Sequence, residues 1–357
     1  MTTTNTTRRQ HYVPQAYLRH WCNDRGKLAA YVDGEILPAC GTKNFAVEVD
    51  FYAFIDLSAD ELGFLYKIIS QILEDTNPIV SIIVVPIFLN ILYFRCEKHD
   101  WSEKYGEIYD KFFPWMKKQE HVNLYRFLRK TAVNNAELKS EYVAAIKSET
   151  TSGFEGLMTG IENSAWPVIN TLLTNGAKCL NEGNNLRCLL LFLLNQCFRG
   201  PDYLRHIEAV LPERMHEIGE TPKLAKYLRY LFPFYILNQL SQTKDQRKVH
   251  VIVNKTDLEF ITGDVPCIIY GEKRNPKTPI ITFFPMSPRR ALLFGYRESI
   301  NTYIQEHGWE LIDRSLVDWF NREVAASSQR FIFASRADIL KDNDYMVYVG
   351  RTPSYVR

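Results

Sequence analysis

Six polar residues are of types that serve binding or catalysis, although they lie far apart in the sequence. They are His11, Gln15, Gln196, Arg199, Asp264 and Asn321. His11 can act as a general base, as a metal ligand or as a hydrogen-bond donor to an anion. Asp264 could orient it or bind a metal, and Arg199 with Gln196 could hold an anion. These residue types favour a site for a small anionic ligand, with His11 and Asp264 as catalytic candidates and the other four as ligand-binding candidates.

His11 lies just before a predicted helix that runs from about Pro14 to Trp21. Pro14 fits the first helical position, and the apolar residues that follow share one face. The free N–H groups at such a start attract anions. The alternative is a histidine that pins its loop by bonding a backbone carbonyl. Gln15 lies one turn on, and its alternative is a structural amide bond.

Asp264 comes directly after a predicted strand, in the sequence Thr-Gly-Asp-Val-Pro. Gly263 would permit a sharp turn there, and Pro266 favours extended backbone at Val265. Such a turn presents a carboxylate for catalysis or metal binding. The alternative is an Asx turn, in which Asp264 bonds its own backbone.

Gln196 and Arg199 lie three residues apart on one face of the most apolar predicted helix, Leu186–Phe198. Their burial is costly unless each finds polar partners. We expect those partners to be Asp264 or a phosphate or carboxylate of a ligand, and the alternative is a buried Arg–Asp structural pair. Asn321 could donate into the same place, or it could be an exposed helical asparagine.

The opening sequence His11-Tyr12-Val13-Pro14-Gln15, followed by Tyr17, Leu18 and Trp21, resembles the signature of domain-of-unknown-function family 4238 (DUF4238). Later stretches that also fit the family are Phe192–Arg199, Phe260–Pro266, Phe284–Pro288, a helix carrying Asn321 and the strand Arg330–Ala334. The resemblance runs from about residue 8 to 335. It indicates which residues matter, but the family is uncharacterised, so it implies no reaction.

Composition narrows the class of protein. The chain of 357 residues can bury a large core and carries a net charge of +2, which gives no overall electrostatic signature of nucleic acid, although local patches can still exist. Its seven cysteines are scattered and never in C-x-x-C spacing, which favours a reducing cytosol. Residues 1–10 have no apolar core of a signal peptide. The apolar run Ile79–Phe94 is too short for a bilayer and is predicted to be a core helix.

The order of elements predicts an α+β fold. A small N-terminal hairpin turns at Asp33-Gly34, a long helical middle begins with a capping box at Ser58 and Glu61, and an antiparallel sheet with one helix follows Lys248. A flexible break is predicted at Gly153–Gly160. We expect residues 1–10 to be a disordered leader, 11–335 to be one composite domain (11–57, 58–245 and 248–335), and 336–357 to be a tail.

Three functions are compatible with these observations. One is an intracellular enzyme that acts on a phosphate-containing substrate, such as a nucleotide or nucleic acid. Another is a non-catalytic ligand-binding or regulatory module whose polar residues are structural. The third, suggested by the family's broad and patchy character, is a toxin-like or phage-defence nuclease. The sequence has no phosphate-binding G-x-x-x-x-G-K-[ST] loop and no G-x-S-x-G or H-E-x-x-H motif. Cofactors, metal dependence and oligomeric state are unknown from the sequence.

Overall fold

A computed structural model describes residues 9–53, 55, 57–58, 61, 63–65, 136–200, 222–242, 246–270 and 281–351. Within them the chain forms two compact units. The helical unit contains residues 1–10, 49–159 and 213–238, and the mixed unit contains residues 11–48, 160–212 and 239–357. The prediction of one composite domain for residues 11–335 stays a prediction.

The mixed unit is built on a five-stranded sheet. Its strands are β5 (Arg247–Asn254), β7 (Ile268–Tyr270), β8 (Ile281–Ser287), β9 (Arg290–Tyr296) and β10 (Glu310–Leu311), in the spatial order β10-β5-β9-β8-β7. Four of the strands pair antiparallel, but β10 runs parallel to β5, so the sheet is mixed rather than purely antiparallel as predicted. The α+β class is confirmed.

Two adjacent phenylalanines of β8 pack on opposite faces of this sheet. Successive residues of a strand point to opposite faces. Phe283 stacks on Phe320 at 4.0 Å between ring centroids, which joins it to the helix Arg314–Ser327. Phe284 stacks on Tyr17 at 5.0 Å and meets Phe192 edge-on at 5.9 Å. The N-terminal motif and the helix Asn185–Phe198 therefore cover the second face.

A four-stranded sheet joins the two ends of the chain. The predicted hairpin forms from β2 (Leu28–Val32) and β3 (Glu35–Cys40), and it pairs with β11 (Phe331–Ala334) and then β6 (Thr262–Gly263). Asp33 and Gly34 both adopt positive φ at the turn, as an Asp-Gly hairpin requires. A separate two-stranded sheet consists of β1 (Arg9–His11) and β4 (Val47–Val49).

Two helices of the described residues differ from the predictions in the middle and in the C-terminal region of the chain. A single helix spans Ala136–Asn175, so the break predicted at Gly153–Gly160 is wrong. Its buried residues recur at helical spacing across that region: Phe154, Met158, Ile161, Ala165, Ile169 and Leu172. Their burial outweighs the cost of about 1 kcal/mol for each helical glycine. A second helix of the C-terminal region, Arg297–His307, was missed because charged residues interrupt its pattern.

Side-chain hydrogen bonds, two of them to backbone groups, hold the described part of the helical unit. The side-chain carbonyl of Gln10 accepts from the backbone N–H of Tyr52 at 2.7 Å, and its amide donates to Glu155 at 3.2 Å. Tyr227 donates to the carbonyl of Ile55 at 2.6 Å. The strand β1 also includes Arg9 and Gln10, so the prediction that residues 1–10 are disordered is wrong for these two residues. The helix Pro222–Gln242 belongs largely to this unit.

The predicted capping box is present: the backbone N–H of Glu61 donates to the Ser58 hydroxyl at 3.2 Å, and Glu61 accepts from the Ser58 N–H at 2.5 Å. The run Ile79–Phe94 lies outside the described residues. Among the helices that are described, none has the length and apolarity needed to cross a membrane. The predicted tail 336–357 begins instead with a helix, Ala337–Asp342, and a 3-10 turn, Tyr345–Tyr348. Leu340 and Tyr345 are fully buried there, which explains why this segment is ordered.

Candidate functional site

The N-terminal motif is anchored to the mixed unit through its aromatic residues. A helix over Gln15–Leu18 and a 3-10 turn over Arg19–Trp21 follow Pro14, in place of the single predicted helix. The buried Tyr17 hydroxyl donates to the carbonyl of Pro285 at 2.6 Å and shares a hydrogen bond of 2.7 Å with Thr262. The Trp21 indole donates to the carbonyl of Phe260 at 3.0 Å. These two aromatic residues fix the motif against residues more than 200 positions away.

The segment Thr262-Gly263-Asp264 is a structural junction. A Cβ on Gly263 would lie 1.8 Å from the Ser328 hydroxyl oxygen, so only glycine fits there. Gly263 lies in β6, so close approach, and not the predicted sharp turn, explains this glycine. The backbone on both sides of it is tied to the rest of the unit.

The Asp264 carboxylate holds the chain between the helix Arg314–Ser327 and β11. It accepts hydrogen bonds from three consecutive backbone N–H groups, those of Gln329 at 2.8 Å, Arg330 at 2.9 Å and Phe331 at 3.2 Å. Only 2% of Asp264 is exposed. Burial raises the pKa of Asp264 to about 6, although the three N–H groups act in the opposite direction. The residue caps a remote turn, and a hydrogen bond to its own backbone, as in the Asx-turn alternative, also acts to lower its pKa; the predicted pair with Arg199 does not describe its contacts.

Arg199 is paired with Glu162, which the sequence did not indicate. Its guanidinium donates to the Glu162 carboxylate at 2.5 Å and to the backbone carbonyl of His11 at 2.7 Å. The two side chains are 6% and 19% exposed. The predicted partner, Asp264, was wrong because its carboxylate is bonded to backbone N–H groups. The positive charge of Arg199 is therefore balanced within the mixed unit.

His11 and Gln15 both contact the segment after the hairpin. The His11 Nε2 donates to the carbonyl of Lys43 at 3.2 Å, the loop-pinning contact weighed above as the alternative to a chemical role. The Gln15 side-chain oxygen accepts from the Thr42 hydroxyl at 3.4 Å. Both residues are half-buried, whereas the other four candidates are buried, so His11 and Gln15 are the most accessible of the six.

Asn321 is a buried structural residue. Its side-chain oxygen accepts from the backbone N–H of Ile261 at 3.0 Å, and its amide donates to the carbonyl of Glu259 at 2.8 Å and to the Tyr345 hydroxyl at 3.1 Å. It is fully buried, so the alternative of an exposed helical asparagine is wrong. These contacts fix the segment that leads into β6 against the helix Arg314–Ser327.

Gln196 differs from the other candidates. Only 2% of it is exposed, and neither its amide nitrogen nor its amide oxygen has a hydrogen-bond partner among the residues that the structure describes. It lies four residues after Phe192 and three before Arg199, so the three share one face of the helix. Phe192 meets Trp166 edge-on, and Arg199 bonds Glu162. The Gln196 amide is therefore placed on the face that meets the long helix, between an aromatic cluster and an ion pair.

The candidates lie in one unit, and several meet at the end of the helix Asn185–Phe198. There the Arg199 guanidinium bonds His11 through its backbone. A Cβ on Gly200 would lie 3.3 Å from the Val265 side chain and 3.8 Å from the carbonyl oxygen of Asp264. Burial raises the pKa of Tyr12, and the negative charge of Asp264 raises this pKa further. The side chains of Asp264 and Asn321 are nevertheless bonded to other parts of the unit.

Among the residues that the structure describes, no cluster of three His, Cys, Asp or Glu side chains could hold a metal ion. A family model described as a protein of unknown function (DUF4238) matches residues 9–338. Because this match covers nearly the whole chain, the protein belongs to the DUF4238 family. No curated protein and no solved structure shows significant similarity to it.

Proposed function

We propose that this protein is a ligand-binding module, in which most polar residues of the family motif hold the fold and Gln196 contacts the ligand. The observation that carries the proposal is the buried Gln196 amide, which has no hydrogen-bond partner in the described part of the chain. Buried polar groups are bonded in the great majority of cases, and an unbonded one calls for an explanation. A bound polar molecule supplies one.

The contacts of the other candidates support a binding role over a catalytic one. Asp264 accepts three backbone N–H bonds and is 2% exposed, so it is poorly available as a base or a metal ligand. Asn321 has both ends of its amide bonded to protein groups. A catalytic base must come within hydrogen-bond reach of a substrate proton, which these contacts oppose.

The chemistry of Gln196 also defines the ligand. A carboxamide offers two donor hydrogens and an acceptor oxygen, so it pairs best with a group that has one acceptor and one donor side by side. Arg199 is neutralised by Glu162, so the surroundings do not favour the anion expected from the sequence. The ligand class that fits best is a small neutral molecule with a carboxamide or a similar amide edge.

The test is a thermal-shift measurement with nicotinamide, acetamide and L-asparagine on the wild-type protein and on Gln196→Leu. A ligand that binds only the native state raises the melting temperature in a concentration-dependent way. We expect at least one of the three amides to stabilise the wild type and none to stabilise Gln196→Leu. Gln15→Leu, which removes a half-buried amide bonded to Thr42, is the matched control and should keep the response. An equal response of wild type and Gln196→Leu, or none from the wild type, contradicts the proposal.

A further inference from the structure

An exposed tryptophan lies on the mixed unit beside a lysine. Trp309 is 63% exposed and directly follows Gly308, the residue that ends the helix Arg297–His307. The Lys248 ammonium lies 6.0 Å from the centroid of the indole ring. A large aromatic surface and a positive charge are thus presented together to solvent.

The residues under this surface hold it in place. The His250 ring meets the Trp309 indole at 4.7 Å between centroids, with an interplanar angle of 67°. Lys248 donates to the side-chain oxygen of Asn301 at 2.8 Å, which restricts the lysine. Lys248 and His250 are two residues apart in β5 and therefore lie on the same face of the sheet. The site is preorganised, which lowers the entropic cost of binding.

His250 adds an observation that points to a ligand. It is 5% exposed, and within the described ranges of the chain its Nε2 atom has no hydrogen-bond partner. Since the Trp309 indole lies against this ring, a ligand that binds beside the indole also lies close to the imidazole. The three side chains then offer a stacking surface, a cation and a polar ring atom within one small region.

We propose that Trp309, Lys248 and His250 form a binding site for a nucleoside phosphate. The base stacks on the indole, the phosphate pairs with the Lys248 ammonium, and His250 supports the indole and offers its Nε2 to a polar atom of the ligand. Every base has a π-face, so stacking on an exposed aromatic ring is effective and tolerant of sequence. A lysine beside the ring supplies the charge that a phosphate needs.

The local charges favour this ligand over a lipid surface. Ile312, three residues after Trp309, is 82% exposed and would suit a membrane. However, the acidic residues Glu310 and Asp313 flank it, and Glu310 already neutralises Lys255 at 3.4 Å. An anionic bilayer would be repelled by these carboxylates, whereas a phosphate at Lys248 lies away from Glu310, which pairs with Val253, five residues further along β5. The protein's net charge of +2 also favours a local contact over long-range attraction to a polyanion.

Calorimetric titrations of the full-length protein with AMP, adenosine, ribose 5-phosphate and a six-nucleotide oligodeoxyadenylate test the site. We expect AMP to bind at least about tenfold more tightly than adenosine or ribose 5-phosphate, because only AMP uses both the ring and the charge. Trp309→Ala and Lys248→Gln should each weaken AMP binding by about tenfold or more. Tighter binding of the oligonucleotide than of AMP would identify single-stranded nucleic acid as the source of the ligand, and equal binding would identify free nucleotides.

Matched variants separate this site from general surface effects. Lys255→Gln removes a half-exposed lysine of the same region. Tyr296→Ala removes an exposed ring whose centroid lies 3.6 Å from the guanidinium carbon of Arg247. Both should bind AMP like the wild type. Gln196→Leu should also bind AMP normally, so the outcome is independent of the amide site. The proposal is overturned if the wild type binds neither AMP nor the oligonucleotide. It is also overturned if Trp309→Ala or Lys248→Gln binds AMP as tightly as the wild type does.

Discussion

The guanidinium of Arg199 donates a 2.7 Å hydrogen bond to the backbone carbonyl of His11, across 188 residues of sequence. This bond attaches the start of the family motif to the end of an apolar helix. Arg199 can make it because Glu162 balances its charge. His11, the motif residue that most resembles a catalytic group, is thus held through its backbone. Its imidazole makes a separate hydrogen bond to the carbonyl of Lys43.

Replacing Asp264 with asparagine should destabilise the protein. One of the two carboxylate oxygens becomes an NH2 group, which cannot accept from the N–H groups of residues 329–331. We expect the free energy of unfolding to fall by about 1–3 kcal/mol in urea denaturation followed by circular dichroism. The control is Asp33→Asn, which weakens an exposed ion pair with Arg330 and should cost less than about 1 kcal/mol. Unchanged stability of Asp264→Asn would show that the carboxylate is not a structural cap.

Removing the charge of Glu162 should also be costly, because the buried Arg199 guanidinium would lose the carboxylate to which it donates at 2.5 Å. We expect Glu162→Gln to lower the free energy of unfolding by about 3 kcal/mol, the lower end of the range for buried pairs, since Glu162 is 19% exposed. The double variant Glu162→Gln/Arg199→Met should lose less free energy of unfolding than the sum of the losses in the two single variants. Glu310→Gln, in the exposed Lys255–Glu310 pair, is the control and should have little effect. Additive effects in the double-mutant cycle would rule out direct coupling.

The sequence predicted elements better than partners. The Asp33-Gly34 hairpin, the Asn185–Phe198 helix and the Ser58–Glu61 capping box depend on local chemistry and were predicted correctly. The pairing of the hairpin with β11 could not be predicted, because it joins residues about 300 positions apart.

The same limit applies to the candidate site. Residue types alone singled out Arg199, but its ion partner lies on another helix, at a position with no motif. The sequence identified Gln196 as a polar residue in an apolar helix, but the lack of a partner for its amide among the described residues depends on three-dimensional packing that no sequence pattern reports. Lys248 and His250 alternate with valines in β5, which is a usual strand pattern and gave no signal of a site.

Replacing Gln196 with leucine should stabilise the protein in the absence of any ligand. A buried amide without hydrogen bonds carries an unrecovered desolvation cost, and an apolar leucine side chain does not. We expect the free energy of unfolding to rise by about 1–3 kcal/mol, measured by urea denaturation in ligand-free buffer. The buried neighbour Asn195, whose amide donates to the Leu191 carbonyl at 2.7 Å, provides the comparison: Asn195→Leu should not stabilise. A loss of stability in Gln196→Leu would mean that the amide is satisfied in solution, for example by buried water.

The stability of the protein should depend on pH through His250. Burial, and then the charge of Lys248, hold the pKa of His250 at about 4, whereas an unfolded chain has a histidine pKa of about 6.5. Between these values the unfolded chain binds a proton that the native state does not, so this residue's contribution to stability is present above about pH 6.5 and is lost as the pH falls toward 4. Asp264, with a pKa raised to about 6, acts with the opposite sign over part of this range, because the native state then takes up the proton first. The comparison of wild type with His250→Gln removes that contribution, since both proteins carry Asp264. We expect the difference in free energy of unfolding, wild type minus variant, to decrease between about pH 7 and pH 4.5. A difference that stays constant over that range would show that His250 titrates normally in the native state and is open to water beside Trp309.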